Sequence, residues 1–131
     1  MRTPEQILRE AKTIAIVGAS PDPGRPSHGV MRYLQRAGYR VLPVNPRACP
    51  GEILGVPCVR SLAALDEPVD LVDVFRRPEY CADVAREAVA IGAPARWLQL
   101  GIRSAAARSI AEEAGVDYVE DACTAVVHRR V

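Results

Sequence analysis

The sequence predicts an α/β fold, Rossmann-like and doubly wound, with a mainly parallel sheet of five or six strands and helices on both faces. Three observations carry this. Short β-branched runs recur at Thr13–Val17, Arg40–Val44, 69–75, 95–100 and 116–120. Amphipathic stretches with helix punctuation lie between several of them. The runs are close to continuously apolar rather than alternating, as strands covered on both faces require.

Each element has a local cause. Thr3 is a good N-cap, Pro4 fits the first helical turn and Gln6 closes a capping box, so a leading helix runs to about Lys12. The strand TIAIV meets Gly18 and a Pro/Gly-rich loop, GASPDPGRPS. Ser27 is placed to cap a helix whose apolar positions Val30, Met31 and Leu34 share a face, and Gly38 ends it. The strand YRVLPV stops at Asn45-Pro46. The irregular stretch RACPGEILGVPCV follows, with a sixth strand if 57–59 pairs, then a short capped helix at 61–65. After VDLVDVF, Pro78 opens EYCADVAREAVAI and Gly92 closes it. ARWLQL reaches Gly101, Ser104 caps AAARSIAEEA, Gly115 ends it, and VDYVE leads to DAC and a short tail.

A length of 131 residues fits one domain, 1–131, and leaves no room for a nucleotide-binding domain beside a separate catalytic one. With 49% hydrophobic and 25% charged residues the chain folds rather than staying disordered. A net charge of +1 gives no global field for nucleic acid. No apolar run reaches membrane length, and MRTPEQILREAKT has no signal-peptide core, so a cytoplasmic protein is expected. Cys49, Cys58, Cys81 and Cys123 form no CxxC pair, so no metal site is expected, and a domain of this length needs no disulfide frame. Of the 17 basic residues only Lys12 is lysine. Codon bias explains most of this excess of arginine, but a guanidinium fork also matches phosphate oxygens, and position must decide.

In a doubly wound sheet, ligands bind beyond the carboxyl ends of the strands. After the first strand come Gly18, Ala19 and Ser20, then Arg25 and Ser27 at a helix start; a tight turn, small residues and a positive helix end suit an anion. The loop is not GxGxxG. After the second strand stand Asn45, Pro46 and Arg47, where NAD-binding folds place an acidic residue for the ribose diol. An arginine there fits a ribose phosphate, leaving NADP or coenzyme A. After the third main strand, Phe75, Arg76, Arg77 and Pro78 put two arginines at a strand end, placed either for phosphate or as a solvated pair.

Catalytic groups are scarce. GxSxG, HExxH and a Walker lysine are all absent. His28 reads as a surface or ligand-contact residue and His128 as part of a solvated tail. Asp121 and Cys123 stand together, but no histidine or lysine accompanies the thiol. Asp70 and Asp73, within the middle strand, read as structural. No catalytic residue is assigned.

The run IAIVGASPDPGRPSHGVMRYLQRAGYRVLPVNP, with EILG, PVDLVDVFRRP, WLQLGI and DAC, resembles the small stand-alone CoA-binding proteins. These are related to the CoA-binding domain of the succinyl-CoA synthetase alpha subunit. The resemblance spans about residues 5–125. It implies a Rossmann-like domain that holds coenzyme A, or an acyl-CoA, across its carboxyl edge. By that resemblance Gly18, Ala19 and Ser20 face the pyrophosphate, with Arg25 and Ser27 nearby. Asn45 and Pro46 flank the nucleotide, and Arg47 is a candidate for the 3′-phosphate. Val74, Phe75, Arg76 and Pro78 line the adenosine and pantetheine path, and Gln99 and Gly101 close the site. The family often carries an arginine before its last cysteine, where this chain has Ala122. The synthetase's phosphorylated histidine belongs to a separate domain, so the resemblance implies a binder with no chemistry of its own. The alternatives are an NADP-linked reductase and a CoA-sensing module that acts on a protein partner.

Overall fold

The computed structural model describes residues 1–47 and 51–131. Ala48, Cys49 and Pro50, inside the irregular stretch, lie outside the described residues.

The first helix, α1 (Pro4–Glu10), starts with the expected capping box, in which Gln6 N–H donates to the Thr3 hydroxyl and Thr3 N–H to the Gln6 side chain. Strand β1 (Thr13–Val17) and helix α2 (Pro26–Arg36) follow, then β2 (Arg40–Val44). The irregular stretch forms a small antiparallel hairpin of β3 (Glu52–Ile53) and β4 (Val56–Pro57), then a single 3-10 turn at Leu62–Ala64. The chain continues as β5 (Leu71–Val74), α3 (Pro78–Ala90), β6 (Ala95–Leu98), α4 (Ala105–Ala114) and β7 (Asp117–Val119). A last helix, α5 (Thr124–His128), stands where the sequence reading has a solvated tail.

Five strands form one all-parallel sheet in the order β2-β1-β5-β6-β7. The sixth strand is reduced to a single parallel bridge, Val59 to Val44, outside β2. It is held by Asn45 N–H to Val59 O (2.9 Å) and Val59 N–H to Pro43 O (3.1 Å). Counting that bridge, the order is that of the Rossmann sheet, and the topological switch falls between β1 and β5.

Alternation along β1 shows how the layers form. Ala15 and Val17 point to one face and join Val72, Val74 and Leu98 under α3 and α4, through Cys81, Ala85, Ala88, Ala107 and Ala111. Ile14 and Ile16 point to the other and meet α1, α2 and α5 through Ile7, Leu8, Met31, Leu34 and Val127. Small alanines on α3 and α4 let those helices approach the sheet closely. Trp97, fully buried on the second face, donates its indole N–H to Ala122 O (2.8 Å) and so anchors the chain before α5. His128 is accordingly no solvated residue: its Nδ1 lies 2.8 Å from the Tyr33 hydroxyl, and Tyr33 and Tyr39 meet its ring edge-on. His28 is buried inside α2's packed face, not at the surface. Cys81 and Cys123 are free thiols, and Cys58 is disulfide-bonded although a domain of this length needs no disulfide frame. Among the described residues no helix is long and apolar enough to cross a membrane, and no cluster of metal-ligating side chains forms.

Candidate functional site

At the carboxyl edge of the sheet a cavity of about 750 Å³ runs from the end of β2, across the β1/β5 switch, to the loop after β7. The first loop borders it because of Gly18. Its φ is +91°, and a Cβ there would stand 2.3 Å from the carbonyl oxygen of Phe75. Only glycine lets the loop leave β1 this close to the β5 exit. Hydrogen bonds then shape the loop. The Ser20 hydroxyl accepts from Asp22 N–H (3.1 Å), and the Asp22 carboxylate accepts from Gly24 N–H (2.9 Å). Asn45 donates to Ala19 O (2.7 Å) and accepts from Arg47 N–H (2.8 Å), tying the ends of β1 and β2 together.

Ser27 does not cap α2. The N-cap is Arg25, with no side-chain cap bond, and Pro26 takes the first helical position. Ser27 is one residue inside the helix, 3% exposed, and lines the cavity. Its hydroxyl makes no hydrogen bond among the described residues and is not one of their sealed, unpartnered polar atoms, so it opens onto the cavity. Helix α3 repeats the arrangement: Arg77 is an N-cap without a side-chain bond, Pro78 follows, and both border the cavity. By contrast α1 and α4 are capped by the Thr3 and Ser104 hydroxyls. The two long helices that start at the cavity thus leave first-turn N–H groups without a side-chain acceptor, which favours an anion there.

Among the described residues the cavity wall carries three arginines, Arg25, Arg76 and Arg77, and no aspartate or glutamate. None of the three joins a salt bridge among the described residues. Arg76 is half-buried, with its guanidinium 4.5 Å over the Tyr80 ring, a stack that holds it at the rim.

The β6–β7 side is different in kind. Gln99, 4% exposed, donates from Nε2 to Asp73 Oδ1 (2.5 Å) and to Thr124 Oγ1 (2.9 Å), and Thr124 donates to Asp73 Oδ2 (2.9 Å). Asp73 and Thr124 are fully buried. Burial raises the Asp73 carboxyl to about 7, against the two hydrogen bonds that favour its charge. Leu100, Ile102 and Cys123 complete this end. The Asp121 carboxylate accepts from Gly101 N–H (2.7 Å) and pairs with Arg103 (2.6 Å), and these hold it below the usual carboxylate range.

Of the residues singled out from sequence, Gly18, Ser20, Arg25, Ser27, Asn45, Phe75, Arg76, Pro78 and Gln99 line the cavity. Five do not. Ala19, in the loop after β1, and Val74, at the end of β5, are buried in the two core clusters. Pro46 and Arg47 are exposed beyond Asn45, and Gly101 serves as the donor to Asp121. Pro26, Val30, Arg77, Leu100, Ile102 and Cys123 also line the cavity. Arg77, Leu100, Ile102 and Cys123 stand within or beside motifs read from the sequence. Val30 reads from the sequence only as a helix-face residue. A second cavity, about 600 Å³, lies at the opposite edge by Lys12, Thr13 and Gly38, where this fold does not place ligands.

A Rossmann-like sheet with an arginine-lined cavity at its switch point defines a nucleotide-binding class of protein. Comparison with known proteins makes this specific: residues 12–129 match the CoA binding domain family, and the chain belongs to it. It is 42% identical over 124 residues to the uncharacterized protein YneT of Bacillus subtilis, covering 95% of this chain and 90% of that one. It is 30% identical over 130 residues to ADP-forming acetate–CoA ligase I of Archaeoglobus fulgidus, covering 92% of this chain but only 19% of the ligase. The solved structure of cell-free ID.343 from Thermus thermophilus superposes with a TM-score of 0.93 at 45% identity, covering 98% of each chain.

Proposed function

We propose that this chain is a single domain that binds coenzyme A or an acyl-CoA in the cavity at the carboxyl edge and performs no chemistry of its own. The observation that carries this is the wall of three arginines without a carboxylate, flanked by two helix starts that have no side-chain cap. In this reading the phosphates lie between the Gly18 turn, the α2 start and Arg76–Arg77. The pantetheine arm extends toward Gln99, Leu100 and Cys123. Among the described residues the wall contains no histidine, lysine, aspartate or glutamate to exchange protons with a bound ligand.

Isothermal titration with coenzyme A, acetyl-CoA and NADP tests this. Coenzyme A or its acyl ester should bind more tightly than NADP. Binding of NADP with no binding of either CoA species overturns the reading in favour of an NADP-linked protein.

A further inference from the structure

Coenzyme A has two chemically distinct halves: a nucleotide with three phosphates, and a thiol-ended arm with two secondary amides. The arginines account for the first half only. On the β6–β7 side the cavity is lined by Gln99, Leu100, Ile102 and Cys123.

The orientation of that carboxamide is determined by its partners. A threonine hydroxyl has one proton, and Thr124 gives it to Asp73. Thr124 can therefore only accept from Gln99, as Asp73 does when it is ionised, so the amide nitrogen faces inward. Both N–H bonds are used on groups with no solvent exposure. What remains is Oε1. It has no hydrogen-bond partner among the described residues, and it is not among their sealed unpartnered atoms, which are His28 Nδ1, Arg96 Nε and Arg96 Nη2. The oxygen is thus an unsealed, unpartnered acceptor on a residue that lines the cavity, with Leu100 and Ile102 beside it. A buried acceptor rewards a ligand that brings an N–H and penalises one that leaves it unpaired.

We propose that Gln99 is the residue that recognises the arm of the ligand: Asp73 and Thr124 clamp its carboxamide nitrogen-inward so that Oε1 accepts a hydrogen bond from a secondary amide of pantetheine. This rests on the coenzyme A reading and assigns its specificity. Asp73 and Thr124 act as positioning residues through Gln99, and the C-terminal helix that carries Thr124 is thereby part of the site. A ligand with the same phosphates but no amide arm gains nothing from the clamp.

The test compares coenzyme A with adenosine 3′,5′-bisphosphate, which keeps the nucleoside with two of the three phosphates and lacks the arm, by calorimetric titration. Wild type should bind coenzyme A more tightly. Gln99→Met, of similar length and without the acceptor, should lose about tenfold in affinity for coenzyme A and less than about twofold for the bisphosphate. Thr124→Val, which removes one side of the clamp, should show a smaller loss confined to coenzyme A, and Thr124→Ser should restore wild-type affinity. If Gln99→Met does not fold, as judged by thermal melting, the Thr124→Val and Thr124→Ser pair carries the comparison. Equal losses for both ligands, or none for coenzyme A, overturn the proposal while the coenzyme A reading stands. Wild type that binds neither ligand overturns that reading, and the proposal with it.

Discussion

The α-carbon of Gly18 faces the carbonyl oxygen of Phe75 so closely that a methyl group on it would stand 2.3 Å from that oxygen. The strand exits on either side of the switch point, β1 and β5, are therefore in backbone contact. Gly18→Ala must push the two apart and also hold a side chain at φ +91°. The backbone strain alone costs about 1–3 kcal/mol, so the variant should melt at least several degrees lower. Gly29→Ala is the control. Gly29 lies in α2 with nothing within 4 Å of its absent Cβ, and alanine there should stabilise by about 0.5–1 kcal/mol. Thermal melts of the two variants should move in opposite directions. An unchanged melting temperature for Gly18→Ala contradicts the close approach.

That loop also shows how far the sequence is readable. Strands β1 and β2 follow from their β-branched runs, because Gly18 and Asn45-Pro46 stop them. The start of α2 does not. Ser27 looks like a cap, but Pro26, with φ already helical and no N–H to satisfy, takes the first helical position and moves the cap to Arg25. Helix α5 has only five residues, too few to show a period, and its place depends on Val127 in the core and His128 against Tyr33, 95 residues away. The clamp around Asp73 is equally invisible locally, since Gln99 and Thr124 lie 26 and 51 residues from it. Cavity residues next to strand ends were accessible to sequence reasoning; those defined by packing across the sheet were not.

The arginines should separate by position. Arg76 lines the cavity, whereas Arg47, one of the sequence-derived candidates, does not. Arg76→Ala should weaken coenzyme A binding about tenfold or more, the scale of one charge-assisted contact. Arg47→Ala should leave affinity within about twofold. Arg108→Glu breaks the pair with Glu120 and the stack on Tyr118, so it should cost stability and not affinity. If Arg47→Ala and Arg76→Ala weaken binding equally, the phosphates lie outside the cavity as described.

Arg96 is a buried cation with little to hold it. It is 1% exposed, donates from Nη1 to Ala85 O (3.0 Å), and leaves Nε and Nη2 without partners among the described residues. Burial pushes its guanidinium below the usual arginine range. Replacing a poorly compensated buried charge by an apolar side chain of similar length is neutral to stabilising. Arg96→Met should therefore raise stability by about 1–2 kcal/mol in urea unfolding with an unchanged slope. A marked loss would mean that the guanidinium is satisfied in the folded protein.

Asp73 should make stability depend on pH in the direction opposite to an ordinary carboxylate. In the folded protein burial holds its carboxyl at about 7, whereas in the unfolded chain it returns to its ordinary 3.8. Between those values the native state keeps a proton that the unfolded chain has released. Stability from this group is then fully present below the lower value, falls as pH rises through the window, and is flat above the upper one. Asp121, held down by Gly101 N–H and Arg103, acts the other way and loses its contribution as pH falls. The measurement is therefore a difference: urea midpoints of wild type and Asp73→Asn compared from about pH 4 to about pH 8. The wild type should lose stability relative to the variant as pH rises through this range and then run parallel to it. A difference that does not change with pH would show that Asp73 is already ionised at the acid end, with Gln99 and Thr124 outweighing its burial.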